Sequence, residues 1–478
     1  MQFSINKLAS VLGAQVVVPA ADGERVASSV TWDSREVVPG SLYVALPGEK
    51  VDGHTFIPAA FEAGAVAALA MSQPGEEAVA AAEKAGGSIL LVESTFEAFP
   101  KLARAWRECL KGQVVALTGS MGKTTTKNLT RDVLSMALSG TATKANQNNE
   151  LGVPRTVLDA SAENDFTVVE MGMRGLGQIS GLVSFVRPTV SVITNVAECH
   201  LELLGSMENI ARAKSEVLEM LQAGNVAVLN AADAFTPSIR EWQRLDERGI
   251  EVLLFDGSGC VDAEDDSLTA YATDIELDSE GRPHFVLHLP DGSFHCSLAL
   301  RGAHNVNNAC AAAAVAWRLG VPPQSIVAGL SASQAESGRQ EVLRSKAGIT
   351  VVNDAYNANP DSMGASLSVL CAMDVPGRRF AVLGDMGELG SYTEEGHRKV
   401  GAFVAASKVD VLICVGELSR LIASAAREAG FPPKNILQAE SREWALAYLT
   451  EHAASGDAVL VKASHSMELD RIAKGLLS

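Results

Sequence analysis

Short apolar runs alternate along most of the chain with longer amphipathic or alanine-rich stretches. That is the pattern of strands buried on both faces of a parallel sheet and covered by helices. Runs at 114–117, 166–169 and 190–194 lie in the middle of the chain, and runs at 349–353, 380–384, 411–415 and 458–461 lie toward its end. Between 268 and 300 the period changes. There 273–277, 284–289 and 294–300, separated by Asp278-Ser279-Glu280-Gly281 and Pro290-Asp291-Gly292, read as antiparallel strands joined by turns. Nearer the start, 5–12 is a short amphipathic stretch, 42–46 is strand-like, and 57–70 reads as a helix broken at Gly64 and followed by a strand. Ser206 is placed to N-cap a helix predicted over 207–221, and Gly302 opens an alanine-rich helix predicted to about Leu319.

These elements predict an α/β chain of three directly joined domains, with no low-complexity linker between them. At 478 residues the chain exceeds what one core usually supports. Residues 1–92 form an N-terminal α/β unit without a nucleotide signature. Residues 93–333 form a central P-loop unit with a mostly parallel sheet, and residues 334–478 a doubly wound, Rossmann-like unit.

Candidate chemistry begins in the central unit, where 114–127 reads VVALTGSMGKTTTK. A buried strand, a glycine turn through Gly119, Ser120 and Gly122, and a helix start at Lys123 are what a nucleotide triphosphate requires. Backbone N–H groups wrap the phosphates, the helix dipole favours their charge, and Lys123 reaches the terminal phosphates. Thr124, followed by Thr125, offers a hydroxyl to Mg²⁺. Leu117 stands where the general P-loop pattern has its first glycine, so the motif is the shorter G-x-x-G-K-T-T. Downstream, the apolar strand at 166–169 ends in Glu170, an acid placed to reach the metal or its water. The strand at 190–194 delivers Asn195 and His200 near the same edge. Asn146-Gln147-Asn148-Asn149-Glu150 is an amide-rich loop ahead of Gly152 and Pro154. In the third unit three polar loops, at 354–360, 384–388 and 462–465, follow strands directly and mark a site on that unit's edge. The 47–54 loop, with Lys50 and His54 beside glycines, is a weaker candidate for an anionic ligand.

Composition narrows the classes. The formal charge of −18 argues against nonspecific nucleic-acid binding. Seven scattered cysteines without a C-x-x-C pair predict free thiols in a reducing compartment. Cys199 and His200 are chain neighbours, and on an extended chain they would face opposite sides, so joint ligation of a metal is not expected. The first residues lack a basic segment followed by an apolar one, and no long apolar window suggests a membrane span. The expected location is cytoplasmic.

The ordered motifs resemble the Mur ligases, the ATP-dependent amino-acid ligases of peptidoglycan precursor synthesis, over the whole length. TGSMGKTTTK resembles the family's ATP loop, NQNNELGVP its following segment, and EMG its metal-binding acid. CHLELLGSMENIARAKSE resembles the stretch carrying a metal-binding histidine and a carbamoylated lysine, and HNVNNA and a G-R pair also match. DAYNANPDSM and VLGDMGELG resemble the member that adds D-alanyl-D-alanine to UDP-N-acetylmuramoyl-tripeptide. The D-S-R at 33–35 with ALPGEKVDGH resembles a uridine-nucleotide domain.

The resemblance implies an acyl-phosphate mechanism using ATP and Mg²⁺, with UDP-N-acetylmuramoyl-tripeptide and D-alanyl-D-alanine as substrates and a monomeric enzyme. It implies that Glu170, His200 and a carbamoylated Lys214 hold metal together with Thr124. Asn305 and Asn308 would contact the nucleotide, Arg339 its phosphates, and Asp354, Tyr356 and Asn359 the nucleotide and dipeptide edge of the third unit. Ser34 and Arg35 would hold the uridine nucleotide, and Asn148 and Asn149 the substrate. The sites lie on three units, so closure would assemble them. Taken on helix statistics alone, Lys214 between Arg212 and Glu216 is a solvated lysine. Three positions depart from the family pattern: Met121 in the ATP loop, His465 where K-G-S-R is usual, and Asp470 where Glu is common. A sister ligase adding another amino acid, or an ATP-hydrolysing binding module, is the competing reading.

Overall fold

A computed structural model describes residues 1–48, 51–260 and 267–477. Three main sheets succeed one another along the chain. The first has the order Gln15–Val18, Ser88–Leu91, Ala67–Ala70, Ser41–Val44, Ser29–Thr31. It is parallel except for its Gln15–Val18 edge. Ser4 caps the helix Ile5–Leu12, which ends on left-handed Gly13. The Ile57–Glu62 helix stops before Gly64, whose φ of 106° turns the chain into the next strand.

The central sheet has nine strands. From one edge they run Gly140–Ala142, Phe166–Glu170, Gln113–Thr118, Val190–Ile193, Val226–Asn230, Glu251–Asp256, Leu268–Leu277, Pro283–Leu289 and Gly292–Ser297. It is parallel as far as Leu268–Leu277 and antiparallel beyond. The P-loop strand Gln113–Thr118 sits where the chain order reverses, so its carboxyl end opens into the crevice that such sheets use for ligands.

The antiparallel strand expected at 273–277 runs over Leu268–Leu277, the one expected at 294–300 ends at Ser297, and two further differences have local causes. The last antiparallel strand begins at Gly292 rather than 294, because Leu289 pairs directly with Gly292 across a two-residue hairpin. The helix predicted over 207–221 is α-helical only over Met207–Ser215 and tightens to a 3₁₀ turn over Glu216–Leu218. There the buried Glu216 carboxylate accepts from the N–H groups of Gly177 (2.6 Å) and Ser180 (3.0 Å), capping the start of the neighbouring Gln178–Val186 helix.

The third sheet has the order Glu341–Arg344, Thr350–Asn353, Ala458–Lys462, Arg379–Gly384, Val411–Val415, Ile436–Ala439. Its two edge strands are short and half-exposed, without the dense apolar run that marks the inner ones.

The cores are distributed unevenly. One apolar cluster runs from Met1 and Phe3 through Phe99 and Trp106 to Val217 and Ile250, so the first unit and one face of the central sheet share it. Edge-to-face contacts join Phe3 to Trp106 (5.3 Å between ring centres) and Trp32 to Phe99 (5.7 Å), both through the helix Thr95–Arg107. The third unit has its own cluster on each face of its sheet. Among the described residues no helix is long and apolar enough to cross a membrane. All seven cysteines are free thiols.

Candidate active site

A cavity of about 1270 Å³ opens at the carboxyl end of Gln113–Thr118, lined by residues of the central and third units. The P-loop forms its floor. The next connection braces that loop. Ser120 N–H donates to the Asn195 carbonyl at 2.9 Å, Met121 N–H to Asn195 Oδ1 at 2.9 Å, and Thr194 Oγ1 donates to the Met121 carbonyl at 2.6 Å. The Met121 N–H therefore serves the protein, and its side chain is not needed for the brace. Lys123 rests its ammonium on the carbonyls of Gly119 (2.7 Å) and Ser120 (3.2 Å). Burial lowers the pKa of this lysine, opposed by Cys199 and Glu170.

Gly122, at φ 76°, leads into the Lys123–Leu134 helix. A Cβ there would stand 2.3 Å from Asn308 Oδ1, the atom that accepts from Thr126 Oγ1. Gly122→Ala is therefore expected to destabilise the fold by about 1–2 kcal/mol from the left-handed backbone alone. It should also weaken nucleotide affinity. Thermal unfolding with and without an ATP analogue measures both; an unchanged midpoint and affinity would contradict the tight fit.

Glu170 lies fully buried at the end of its strand. Its Oε1 accepts from Thr124 Oγ1 (3.2 Å) and Asn148 Nδ2 (2.7 Å), and its N–H donates to Thr143 Oγ1 (3.0 Å). Its other oxygen, Oε2, is buried without a hydrogen-bond partner. A buried carboxylate oxygen left bare beside a P-loop threonine fits a divalent cation. Among the described residues no three His, Cys, Asp or Glu side chains form a ready-made metal cage. That suits Mg²⁺, which takes few carboxylates and completes its shell with phosphate oxygens and water.

Lys214 is 2% exposed, contrary to the solvated lysine expected from its helix. Burial lowers its pKa to about 8, with Cys199 and Asp233 opposing and Lys123 adding to the shift. The rest of its helix follows the charge pattern: Arg212 turns outward to pair with Glu208 and stacks over Trp242. His200, at φ 56°, heads the short Leu201–Leu204 helix and lines the cavity. Burial lowers its pKa, and the carboxylate of Glu388 opposes this.

The third unit supplies the facing wall. Asp354 is buried and accepts from Lys462 Nζ at 2.6 Å, from the Ser366 hydroxyl, and from Gln340 N–H at 3.1 Å. The Arg339 guanidinium lies 4.0 Å over the Tyr356 ring, and His465 stands beside that ring, 5.5 Å between centres. Asn359 caps the Pro360–Ala372 helix through a box with Ser362.

Gly119, Ser120, Gly122, Lys123, Thr124, Thr125, Asn148, Asn149, Glu170, His200, Lys214, Asn305, Asn308, Arg339, Asp354, Tyr356 and Asn359 all line this one cavity. Asn305 and Asn308, like Asn148, have their amide N–H groups committed within the protein. Asn305 Nδ2 donates to the Arg301 carbonyl (2.7 Å), and Asn308 Nδ2 to Asn305 Oδ1 (2.8 Å). Ser34 and Arg35 do not reach the cavity. They form a 3₁₀ turn in the first unit, capped by Asp33, and the exposed Arg35 side chain pairs with Asp33 at 2.6 Å. In the 47–54 loop, Glu49 and Lys50 lie outside the described residues. His54 is already engaged, with Nδ1 2.6 Å from Asp52 and Nε2 accepting from Met71 N–H.

Two further cavity-wall residues lie in stretches that the sequence singled out without giving them a place in the site. Lys462 opens the polar 462–465 loop read as part of the third unit's edge site, but its pairing with Asp354 joins neighbouring strands that are far apart in sequence. His304 also lines the cavity, its pKa lowered by burial.

Family profiles match most of the chain: "Mur ligase family, catalytic domain" over 26–107, "Mur ligase middle domain" over 117–316, and "Mur ligase, glutamate ligase domain" over 338–465. A Synechocystis protein named UDP-N-acetylmuramoyl-tripeptide–D-alanyl-D-alanine ligase is 36% identical over 94% of this chain and 92% of its own length. A Bacillus subtilis protein of the same name is 32% identical over 95% and 94%. The crystal structure of MurF from Acinetobacter baumannii aligns with a TM-score of 0.84 at 30% identity, covering 100% of this chain and 99% of its own. MurF ligase from Thermotoga maritima, in complex with ADP, aligns with a TM-score of 0.76 at 28% identity, covering 94% and 97%.

Proposed function

The chain belongs to the Mur ligase family, and from that premise we infer that it joins D-alanyl-D-alanine to UDP-N-acetylmuramoyl-tripeptide at the expense of ATP. The products are UDP-N-acetylmuramoyl-pentapeptide, ADP and phosphate, a step of peptidoglycan precursor synthesis. The observation that carries this reading is the likeness, along nearly the full length of both chains, to relatives bearing that enzyme's name.

A carboxylate does not accept an amine at neutral pH, because oxide would have to leave. The terminal carboxylate of the tripeptide therefore attacks the γ-phosphorus of ATP; the new P–O bond forms as the bond to ADP breaks, giving an acyl phosphate. The free amine of D-alanyl-D-alanine then attacks the acyl carbon and loses a proton, and phosphate leaves. Catalysis of this kind is mostly positioning and charge neutralisation.

In this reading Lys123 exchanges its present carbonyl contacts for the β- and γ-phosphates, and the N–H groups at Gly122 and beyond face the phosphate chain. Thr124 and Glu170 would hold one Mg²⁺, and His200 and Lys214 would help hold a second; when bound, the ions neutralise charge on the transferring phosphoryl group. Lys214 as an ammonium would repel a cation. As a carbamate, formed when its neutral amine adds to CO₂ and releases a proton, it becomes an anionic oxygen ligand. The lowered pKa of the buried amine supports this modification.

Asn305 and Asn308 stiffen the floor beneath the nucleotide, Arg339 and Asp354 meet its phosphates and ribose side, and Tyr356 and Asn359 face the dipeptide. Asn148 and Asn149 border the tripeptide. Ser34 and Arg35, on the 1–92 unit, would hold the uridine nucleotide away from the reacting atoms. The 93–333 unit would take ATP, and the 334–478 unit the incoming dipeptide with part of ATP. One chain carries every group named, so a monomer would suffice for the reaction. The soluble nucleotide substrates and free thiols fit a cytoplasmic enzyme.

Phosphate release measured with ATP, Mg²⁺ and the UDP-tripeptide, with and without D-alanyl-D-alanine, tests the reading. Dipeptide-dependent release is expected, with a product heavier by one condensed dipeptide. Release that ignores the dipeptide and makes no amide would overturn it.

A further inference from the structure

A histidine that ligates a metal through one ring nitrogen needs a partner on the other, to fix its tautomer and ring plane. His200 has such a neighbour, and it comes from a different unit of the fold. Its Nδ1 lies 2.6 Å from Glu388 Oε2, at an angle outside hydrogen-bond geometry. A carboxylate oxygen so near would repel a bare ring lone pair, so Nδ1 carries the proton and Nε2 keeps the lone pair. His200 lines the cavity, whereas Glu388 stands outside its lining. Arg174, from the central unit, lies 3.5 Å from the other carboxylate oxygen.

The backbone on both sides is held in an uncommon conformation. His200 at φ 56° and Glu388 at φ 62° are both left-handed without being glycine. Such residues persist where the surroundings over-determine them, and they cluster at functional sites. The two segments are also in close contact: a Cβ added at Gly390 would meet the Glu202 Cα at 2.6 Å. Beside them Lys399 bridges Asp361 of the third unit (3.0 Å) and Glu198 of the central one (3.4 Å). The Glu388 and His200 side chains are 42% and 22% exposed. An ion contact that open contributes little to stability, so stability alone does not account for two left-handed residues meeting here.

We propose that Glu388 is a positioning residue for His200, and that the second metal site is completed only when the third unit docks on the central one. The proposal rests on the reading of His200 as a metal ligand. Docking would then set the ring plane and tautomer, so that metal capture and interdomain closure reinforce each other.

The test uses the full chain with a non-hydrolysable ATP analogue and UDP-tripeptide, titrated with Mn²⁺ while free Mn²⁺ is counted by electron paramagnetic resonance. Glu388→Gln is expected to weaken the second Mn²⁺ by about 10–100-fold, the usual effect of losing a ligand's outer partner. Glu388→Gly, which relaxes the left-handed backbone, should do the same and separates the effect from misfolding. The Mg²⁺ concentration for half-maximal rate should rise by a similar factor, with kcat at saturating Mg²⁺ much less affected. His200→Ala is the reference. If it weakens the second Mn²⁺ and the Glu388 variants do not, the positioning role is overturned. If His200→Ala has no effect either, the ligand reading of His200 fails, and this proposal with it.

Discussion

Lys214→Ala is expected to lower turnover on the order of 10²–10³-fold, the scale of losing one preorganised charge-stabilising group, with the fold retained. A lysine with the ordinary pKa is neutral in only about one molecule in three thousand at pH 7, whereas one at about 8 is neutral in roughly one in ten. Burial would thus supply the free amine that the proposed carbamate requires, and the negative charge of such a carbamate would belong beside cations and phosphate. Added bicarbonate or a short-chain carboxylic acid should restore part of the activity, because either can seat an oxygen anion in the vacated space. Lys214→Arg, which keeps a positive charge and cannot add CO₂, should be as inactive as the alanine variant and resist rescue. Turnover measured against acid concentration decides: full activity in Lys214→Ala would end the assignment.

The second large effect is structural. Lys462 and Asp354 form a buried pair, 3% and 11% exposed at the side chain. Lys462 also donates to the Asn357 carbonyl at 2.9 Å, so it fastens the loop that carries Tyr356 and Asn359. Lys462→Met leaves Asp354 buried without its counter-charge and should cost about 3–5 kcal/mol. Adding Asp354→Asn should recover much of that stability, because neither charge then remains, but not nucleotide affinity. A multi-unit chain need not unfold in one step, so the first denaturant transition is the one to follow. A single variant as stable as the parent would show that water reaches the pair.

How much of this was legible beforehand depended on how local the determinant is. The P-loop, Glu170 and the inner strands were legible because a strand, its turn and the residue that follows are contiguous. The inner strands of the third unit were legible for the same reason, whereas Glu341–Arg344 and Ile436–Ala439 were not, since edge strands lack a continuous apolar run. The burial of Lys214 was illegible: its chain neighbours Arg212 and Glu216 are charged, and only tertiary packing turns one of the three into the site. The early end of that helix was hidden likewise, because it depends on Glu216 serving a different helix. The Glu388–His200 contact joins residues 188 positions apart by number, 388 minus 200, and no spacing rule reaches that far.

The uneven distribution of the cores bears on how this chain could be recombined. The first unit shares its apolar cluster with the central sheet through the helix Thr95–Arg107. A chimaera joined near residue 92 would pair two half-cores that never evolved together, with Phe3 and Trp32 facing foreign partners for Trp106 and Phe99. A junction beyond that helix inherits the same mismatch at Val153 and Val157. The third unit keeps its clusters to itself and meets the rest partly through ion contacts such as Lys399 with Glu198. It is the portion that could be exchanged between relatives as a cassette with its apolar packing intact, provided that Arg339 and Asp354, which it contributes to the shared cavity, are kept.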